Sequence, residues 1–173
     1  SSDVCSSDLL STRVCWVSAR PSSHGEPACL SEVSGVAPVP RLLKEGVCVA
    51  LGTDGASSNN NLDMLEEINL AAMLHKVSTL DPLAVPARTA LKMGTEYGAK
   101  AVGLTGVGKL EAGCKADITL FDMNSAAWFP RHNLVSLLVY SANAGSIYMP
   151  LQLNIVSLPS QHHARWAIFC LRT

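Results

Sequence analysis

A short apolar run that ends in an acid between two glycines limits most strongly what this chain can fold into. Val47-Cys-Val-Ala-Leu51 is followed at once by Gly52-Thr-Asp-Gly-Ala-Ser-Ser-Asn-Asn60. An apolar block this short, bounded by Gly46 and Gly52, has the length of a buried strand. Before it, Pro38 to Glu45 reads as a short helix stopped at Gly46. After it, apolar residues recur at helical spacing. Parallel α/β sheets place catalytic and metal-binding groups where a strand leaves the core, and Asp54 stands at that point. Read locally, the run has two meanings: a strand, a turn and a capping Asp, or an active-site carboxylate.

The rest of the chain supplies the frame. Asn59 to Asn61, or Asp63, can cap a helix reaching about Val77, with Glu66 and Glu67 near its positive end as a solvated face. Leu62, Leu65, Ile68, Ala72 and Met73 form its expected apolar stripe, and His75 reads as a packing or surface histidine. Asp81-Pro82 breaks the helix. A second helix is predicted as one run from near Pro86 to about Val102, stopped by Gly103. Gly94 and Gly98 lie four apart on it, so that face can approach another element closely. Gly103-Leu-Thr-Gly106-Val-Gly108 follows a helix, which favours a turn over a phosphate loop. A strand is expected at Ala116 to Phe121, an apolar segment at Leu134 to Tyr140, and a short strand within 13–18.

The order helix, strand, helix, helix, strand suggests the end of an α/β barrel followed by a small β domain. At 173 residues the chain falls below the roughly 200 residues that a complete eight-fold barrel needs. Residues 1–12, in which Ser-Ser-Asp occurs twice, read as a non-native leader. Residues 13–105 read as the last barrel segments, 106–147 as a return into a β-sandwich, and 148–173 as a divergent tail without assignment.

Composition narrows the function. Apolar residues make up 48% and charged residues 16%, which favours a buried core over disorder. The net charge is −1, and no basic stripe points to nucleic acid. No apolar run approaches the roughly 18 residues of a membrane span. The six cysteines show no CxxC spacing and read as reduced thiols of a cytoplasmic protein.

Three stretches together resemble the amidohydrolase superfamily, in particular its methylthioadenosine/S-adenosylhomocysteine deaminase branch. They are SGVAPVPRLLKEGVCVALGTDGASSNNNLDMLEEINLAAMLHK (34–76), DPLAVPARTALKMGTEYGAKAVGL (81–104) and GKLEAGCKADITLFDM (108–123), with HNLVSLLVYSAN (132–143) fitting behind them. The resemblance implies an α/β fold: a C-terminal fragment of a metal-dependent (β/α)8 barrel with part of a small β-sandwich domain. It gives Asp54 two roles, as a ligand of zinc or another divalent metal and as the carboxylate that moves the proton. A metal that lowers the pKa of its water to about 7 suits hydrolytic removal of an amino group. Ser58 and Asn59 match the family's SNN and are implied on the substrate side. The implied substrate is a small purine nucleoside, and a homo-oligomer is compatible with the parent protein.

The chain departs from that pattern in places. No His-x-His pair is present. His162 and His163 are adjacent, and neighbours on a strand face opposite ways. His24 lies eleven residues before Gly35, the family's spacing for a substrate-side histidine, yet GEPACLSEV lacks the accompanying Pro and Ser-Asn. These gaps imply that the chain alone is inactive. They leave open another amidohydrolase (a guanine or cytosine deaminase, or a chlorohydrolase), or a non-catalytic α/β module binding a small ligand.

Overall fold

Two parallel strands and the helix between them form the first layer. The structure, a computed structural model, describes residues 14–17, 36–53, 62–153 and 166–169. Strand β1 (Val14–Val17) runs parallel to β2 (Cys48–Leu51), with Val14 opposite Cys48 and Val17 opposite Leu51. Helix α1 (Val39–Lys44) joins them. Its end is closed by Gly46 at φ +75°. There the amides of Gly46 and Val47 donate to the carbonyls of Leu43 and Leu42, at 3.1 and 3.0 Å. That left-handed turn suits glycine and feeds the chain directly into β2. All four β2 residues are buried. Val49 and Leu51 pack with Val39, Ile68, Ala72 and Met93 in the main core.

Helix α2 (Met64–Thr79) follows, and Asp63 is its cap. The Asp63 Oδ1 accepts from the amides of Leu65 and Glu66, at 2.9 and 3.4 Å. The buried face differs from the stripe expected from sequence. Leu65, Ile68 and Ala72 are inside, but Leu62 and Met73 are 57% and 50% exposed, while Ala71, His75 and Glu67 are buried. Glu67 is therefore not part of a solvated face, and it has a hydrogen-bonding or electrostatic partner. Helix α2 packs against β2, α3 and α5 together, so its buried arc is wider than one stripe.

The second helix is two. Helix α3 (Ala87–Gly94) ends at Thr95 and α4 (Glu96–Ala101) restarts immediately. Thr95 sits at φ −126°, ψ −88°, and its hydroxyl donates to the Leu91 carbonyl at 2.7 Å. A threonine bonded back to the preceding turn, flanked by glycine, offers the backbone an alternative to the helical ladder. Gly94 is the close approach that the glycine spacing predicted: a Cβ there would meet Ile68 Cδ1 at 2.6 Å. Gly98 is not, since a Cβ would meet only the Met93 carbonyl, at 3.6 Å. Helix α4 lies against β2, where the Cys48 thiol donates to the Tyr97 carbonyl at 3.8 Å. It closes at Gly103 (φ +70°), with the Leu104 amide reaching the Ala99 carbonyl at 2.9 Å. The glycine-rich run after it is a series of turns, as expected.

The remaining strands form an antiparallel sheet in the order β4-β3-β5. Strand β3 (Ala116–Asp122) is central, flanked by β4 (Ile147–Leu153) and β5 (Trp166–Phe169). Ala116 stands opposite Leu153 and Thr119 opposite Phe169. Residues beyond 147, unassigned from sequence, thus contribute two strands. Phe121 and Trp128, with ring centroids 6.0 Å apart, anchor a second core with Leu65, Met123 and Leu138. Leu65 of α2 belongs to this cluster, so the helix layer and the sheet share packing. Helix α5 (Leu134–Tyr140) is capped by Asn133, whose Oδ1 accepts from the Ser136 amide at 3.0 Å. It is tied to α2 by Asn69, which donates to the Val139 carbonyl at 2.9 Å.

Candidate functional site

The exit of β2 opens onto a cavity of about 520 Å³. Leu51, Gly52 and Thr53 form one wall, and Met64 with Leu62 at the start of α2 forms a second. The third comes from the α3–α4 break, with Thr95, Gly98 and Val102 among its residues. Small residues line the break: Gly94 is packed against Ile68, and at Gly98 there is no side chain to fill the space. Gly108, at φ +82°, lies against α4, where a Cβ would meet the Thr95 carbonyl at 2.9 Å. The volume falls within that of small-molecule sites.

The cavity is mostly apolar in its side chains. The Thr95 hydroxyl is already committed to Leu91, and Thr53 also has a partner. Asp54, Ser58 and Asn59 lie outside the described residues, as does His24. The frame around the first three is nevertheless defined. Thr53 and Leu62, the described residues on either side of 54–61, both line the cavity. The segment that carries Asp54 therefore leaves and rejoins the fold at the cavity wall. Sequence reasoning located the strand exit but missed Met64, Thr95 and Val102 as wall residues. The Gly94–Gly98 spacing was the one signal for that wall.

Two buried groups away from the cavity lining are electrostatically perturbed. Burial pushes the Cys48 thiol above its ordinary range, with Lys100 pulling it down and Glu96 pushing it up. Burial holds the His75 imidazole below its ordinary value of 6.5, and the charge on Lys76 adds to the shift. The His75 Nδ1 is buried with no hydrogen-bond partner among the described residues. His75 is thus a packing histidine of α2. Lys76 itself donates to the carbonyls of Ala72 and Val85 and to the Tyr140 hydroxyl, at 2.6, 3.2 and 2.9 Å.

A metal is what the resemblance implies for this strand end. Among the described residues no three His, Cys, Asp or Glu side chains come together to hold one. They do not by themselves fit a metal centre, and a complete ligand set needs further donors. No helix among the described residues is long and apolar enough to cross a membrane.

Comparison with known proteins agrees with the fold. The 5-methylthioadenosine/S-adenosylhomocysteine deaminase of Dictyoglomus thermophilum is 51% identical over 125 residues, 72% of this chain and 29% of that protein. The enzyme of the same name from Carboxydothermus hydrogenoformans is 48% identical over 124 residues, again 72% and 29%. A 5'-deoxyadenosine deaminase of Methanosarcina barkeri is 50% identical over 125 residues, with the same shares. The chain thus spans less than a third of the length of the curated relatives it matches. Among solved structures, an adenosine deaminase from Xanthomonas campestris with bound zinc superposes with a TM-score of 0.64 at 36% identity, over 68% of this chain and 27% of that one. The zinc complex of the atrazine chlorohydrolase TrzN from Arthrobacter aurescens gives 0.59 at 29% identity, over 65% and 25%. These zinc-bound neighbours support a divalent metal in the family. The sequence profile of the amidohydrolase family matches residues 3–151. With the parallel βα unit, the acidic strand exit and the antiparallel sheet behind it, that match places this chain in the amidohydrolase family.

Proposed function

We propose that this chain supplies the last barrel segments of a zinc-dependent deaminase that removes the amino group of a purine nucleoside of the methylthioadenosine/S-adenosylhomocysteine type. Asp54 is its metal ligand and proton-carrying carboxylate, and Ser58, Asn59 and His24 lie on the substrate side. One observation carries the reading: both described flanks of the Asp54 segment line a ligand-sized cavity at the C-terminal end of a parallel strand, where barrel enzymes place their chemistry. The names of the relatives supply the substrate class. On this reading the chain alone is inactive, because a catalytic zinc takes three protein ligands and an open position and the sequence carries no His-x-His pair to join Asp54. Residues 13–105 form the barrel part and 106–147 the sandwich return. Its unpaired Cys48 and Cys114 suit the reducing cytoplasm.

The test is a chimera. Residues 34–143 replace the matching segment of the Dictyoglomus thermophilum deaminase, and ammonia release is followed with 5'-methylthioadenosine, S-adenosylhomocysteine, guanine, cytosine and a chlorotriazine. The expected result is deamination of the two nucleosides and a loss of at least about 100-fold on Asp54→Asn. A folded chimera that prefers guanine, cytosine or the triazine, or an Asp54→Asn chimera that keeps full activity, would overturn the assignment.

A further inference from the structure

The turn between α2 and α3, residues 80–86, holds its backbone in a way that one of its residues resists. Among the described residues only Leu80 and Val85 take a positive φ without being glycine, at 53° and 44°. Leu80 stands just past the end of α2, where a left-handed residue is ordinary. Val85 occupies no such position. It is β-branched, which makes a positive φ an outlier. It also precedes Pro86, and the residue before a proline is driven to extended backbone. Such a conformation persists only where the surroundings impose it.

Two anchors impose it. The Val85 side chain is buried and belongs to the main core cluster with Ala72 and Ala90. Its carbonyl accepts from the Lys76 ammonium at 3.2 Å. The same ammonium donates to the Ala72 carbonyl at 2.6 Å and to the Tyr140 hydroxyl at 2.9 Å. These partners use all three donors of a lysine, and they come from α2, the turn and α5. Bonds from a charged donor are roughly twice as strong as neutral ones. The rest of the turn is closed lightly. Asp81, Pro82, Leu83 and Pro86 are exposed, and the amides of Leu83 and Ala84 donate within the turn to Asp81, at 2.8 and 3.1 Å. An exposed segment with few buried contacts is one that can open by itself.

We propose that Lys76 is a latch on this turn, independent of the catalytic reading: its ammonium ties the Val85 carbonyl to α5, and without it residues 80–90 open as a local unit while the antiparallel sheet stays folded. The start of α3 opens with the turn, because the amides of Thr89 and Ala90 both donate to the Pro86 carbonyl, at 2.8 and 3.0 Å. The test is native-state hydrogen exchange of the full chain, read by NMR at single amides. In Lys76→Met, which keeps an unbranched apolar stem, the amides of Ala84, Thr89 and Ala90 should exchange at least about 10-fold faster, with those of Ala116–Asp122 unchanged. Tyr140→Phe removes one acceptor only and should give a smaller acceleration at the same three amides. Equal acceleration in the sheet, or a Lys76→Met chain that does not fold, overturns the proposal, because Lys76 then supports the whole fold. Unchanged exchange at the turn in Lys76→Met overturns it too, and leaves Val85 held by core packing alone.

Discussion

Gly94 and Gly98 lie four residues apart on what the sequence presents as one helical face, yet the structure assigns them opposite responses to a methyl group. Glycine in a helix costs about 0.5–1 kcal/mol relative to alanine, so both Gly→Ala changes begin with that gain. At Gly98 the added Cβ meets only the Met93 carbonyl at 3.6 Å, an ordinary contact, and the gain stands. At Gly94 it falls 2.6 and 2.7 Å from Cδ1 and Cγ1 of Ile68, and Ile68 is 1% exposed within the main core. Overpacking of this kind costs about 1–3 kcal/mol. Gly94→Ala is therefore neutral to about 2.5 kcal/mol destabilising, and the two variants differ by about 1–3 kcal/mol. Urea unfolding followed by the fluorescence of the chain's tryptophans, Trp128 buried among them, reads the difference at constant m. Ile68→Val provides the internal control. It removes Cδ1, so its usual cost of about 0.5–1.5 kcal/mol should shrink or reverse in the Gly94→Ala background. Equal stability of the two glycine variants, or no coupling with Ile68, refutes the argument.

Three further changes test other parts of the frame. Gly108→Ala places a side chain at φ +82°, with its Cβ 2.9 Å from the Thr95 carbonyl and 3.0 Å from Glu96 Cα; the expected loss is about 2–4 kcal/mol, and a denaturation midpoint within error of wild type contradicts it. Asp63→Ala removes the cap of α2 and should cost about 1 kcal/mol, largely restored by Asn; thermal melts of the two variants check this. For His75, burial depresses the folded pKa below the ordinary 6.5, so on acidification the unfolded chain takes up its proton first. Stability is full above 6.5 and falls as pH drops below it toward the folded value. Denaturation measured from about pH 7 to about pH 5 should show that fall, with a smaller slope in His75→Leu; an unchanged slope excludes His75 as its source.

Elements that one chain segment decides by itself were legible in the sequence. The βα unit around β2 follows from an apolar block between two glycines, and α1 stops at Gly46 as read. Asp63 was among the expected caps, and α5 occupies the apolar segment Leu134 to Tyr140. What escaped was set by neighbours in space. Glu67 looks like a surface residue because Glu66 precedes it, and only the joint packing of β2, α3 and α5 on α2 puts it inside. Thr95 is an ordinary helix residue in the sequence. Its break depends on a hydroxyl turned back to Leu91 and on the glycines around it.

The same distinction bears on the site. Asp54 was singled out from its place after a strand, and its chemistry from a resemblance spread over several motifs, because no local pattern separates a catalytic aspartate from a capping one. The structure contributes what neither supplies, a three-sided cavity whose walls come from β2, the start of α2 and the α3–α4 break. Those walls depend on one another. Gly94 lets α3 sit against Ile68, and Gly108 lets the following loop sit on α4, so these small residues fix the positions of the walls beside the strand exit. A substitution that fills this break should therefore lower stability through Ile68 or Thr95 and also narrow the cavity. Gly98→Ala is the exception, since it adds volume at the wall at no cost in stability. In the chimera, Gly98→Ala thus separates the two effects. Reduced turnover in a protein that is more stable than its parent would assign the cavity to substrate, and unchanged turnover would assign it to packing alone.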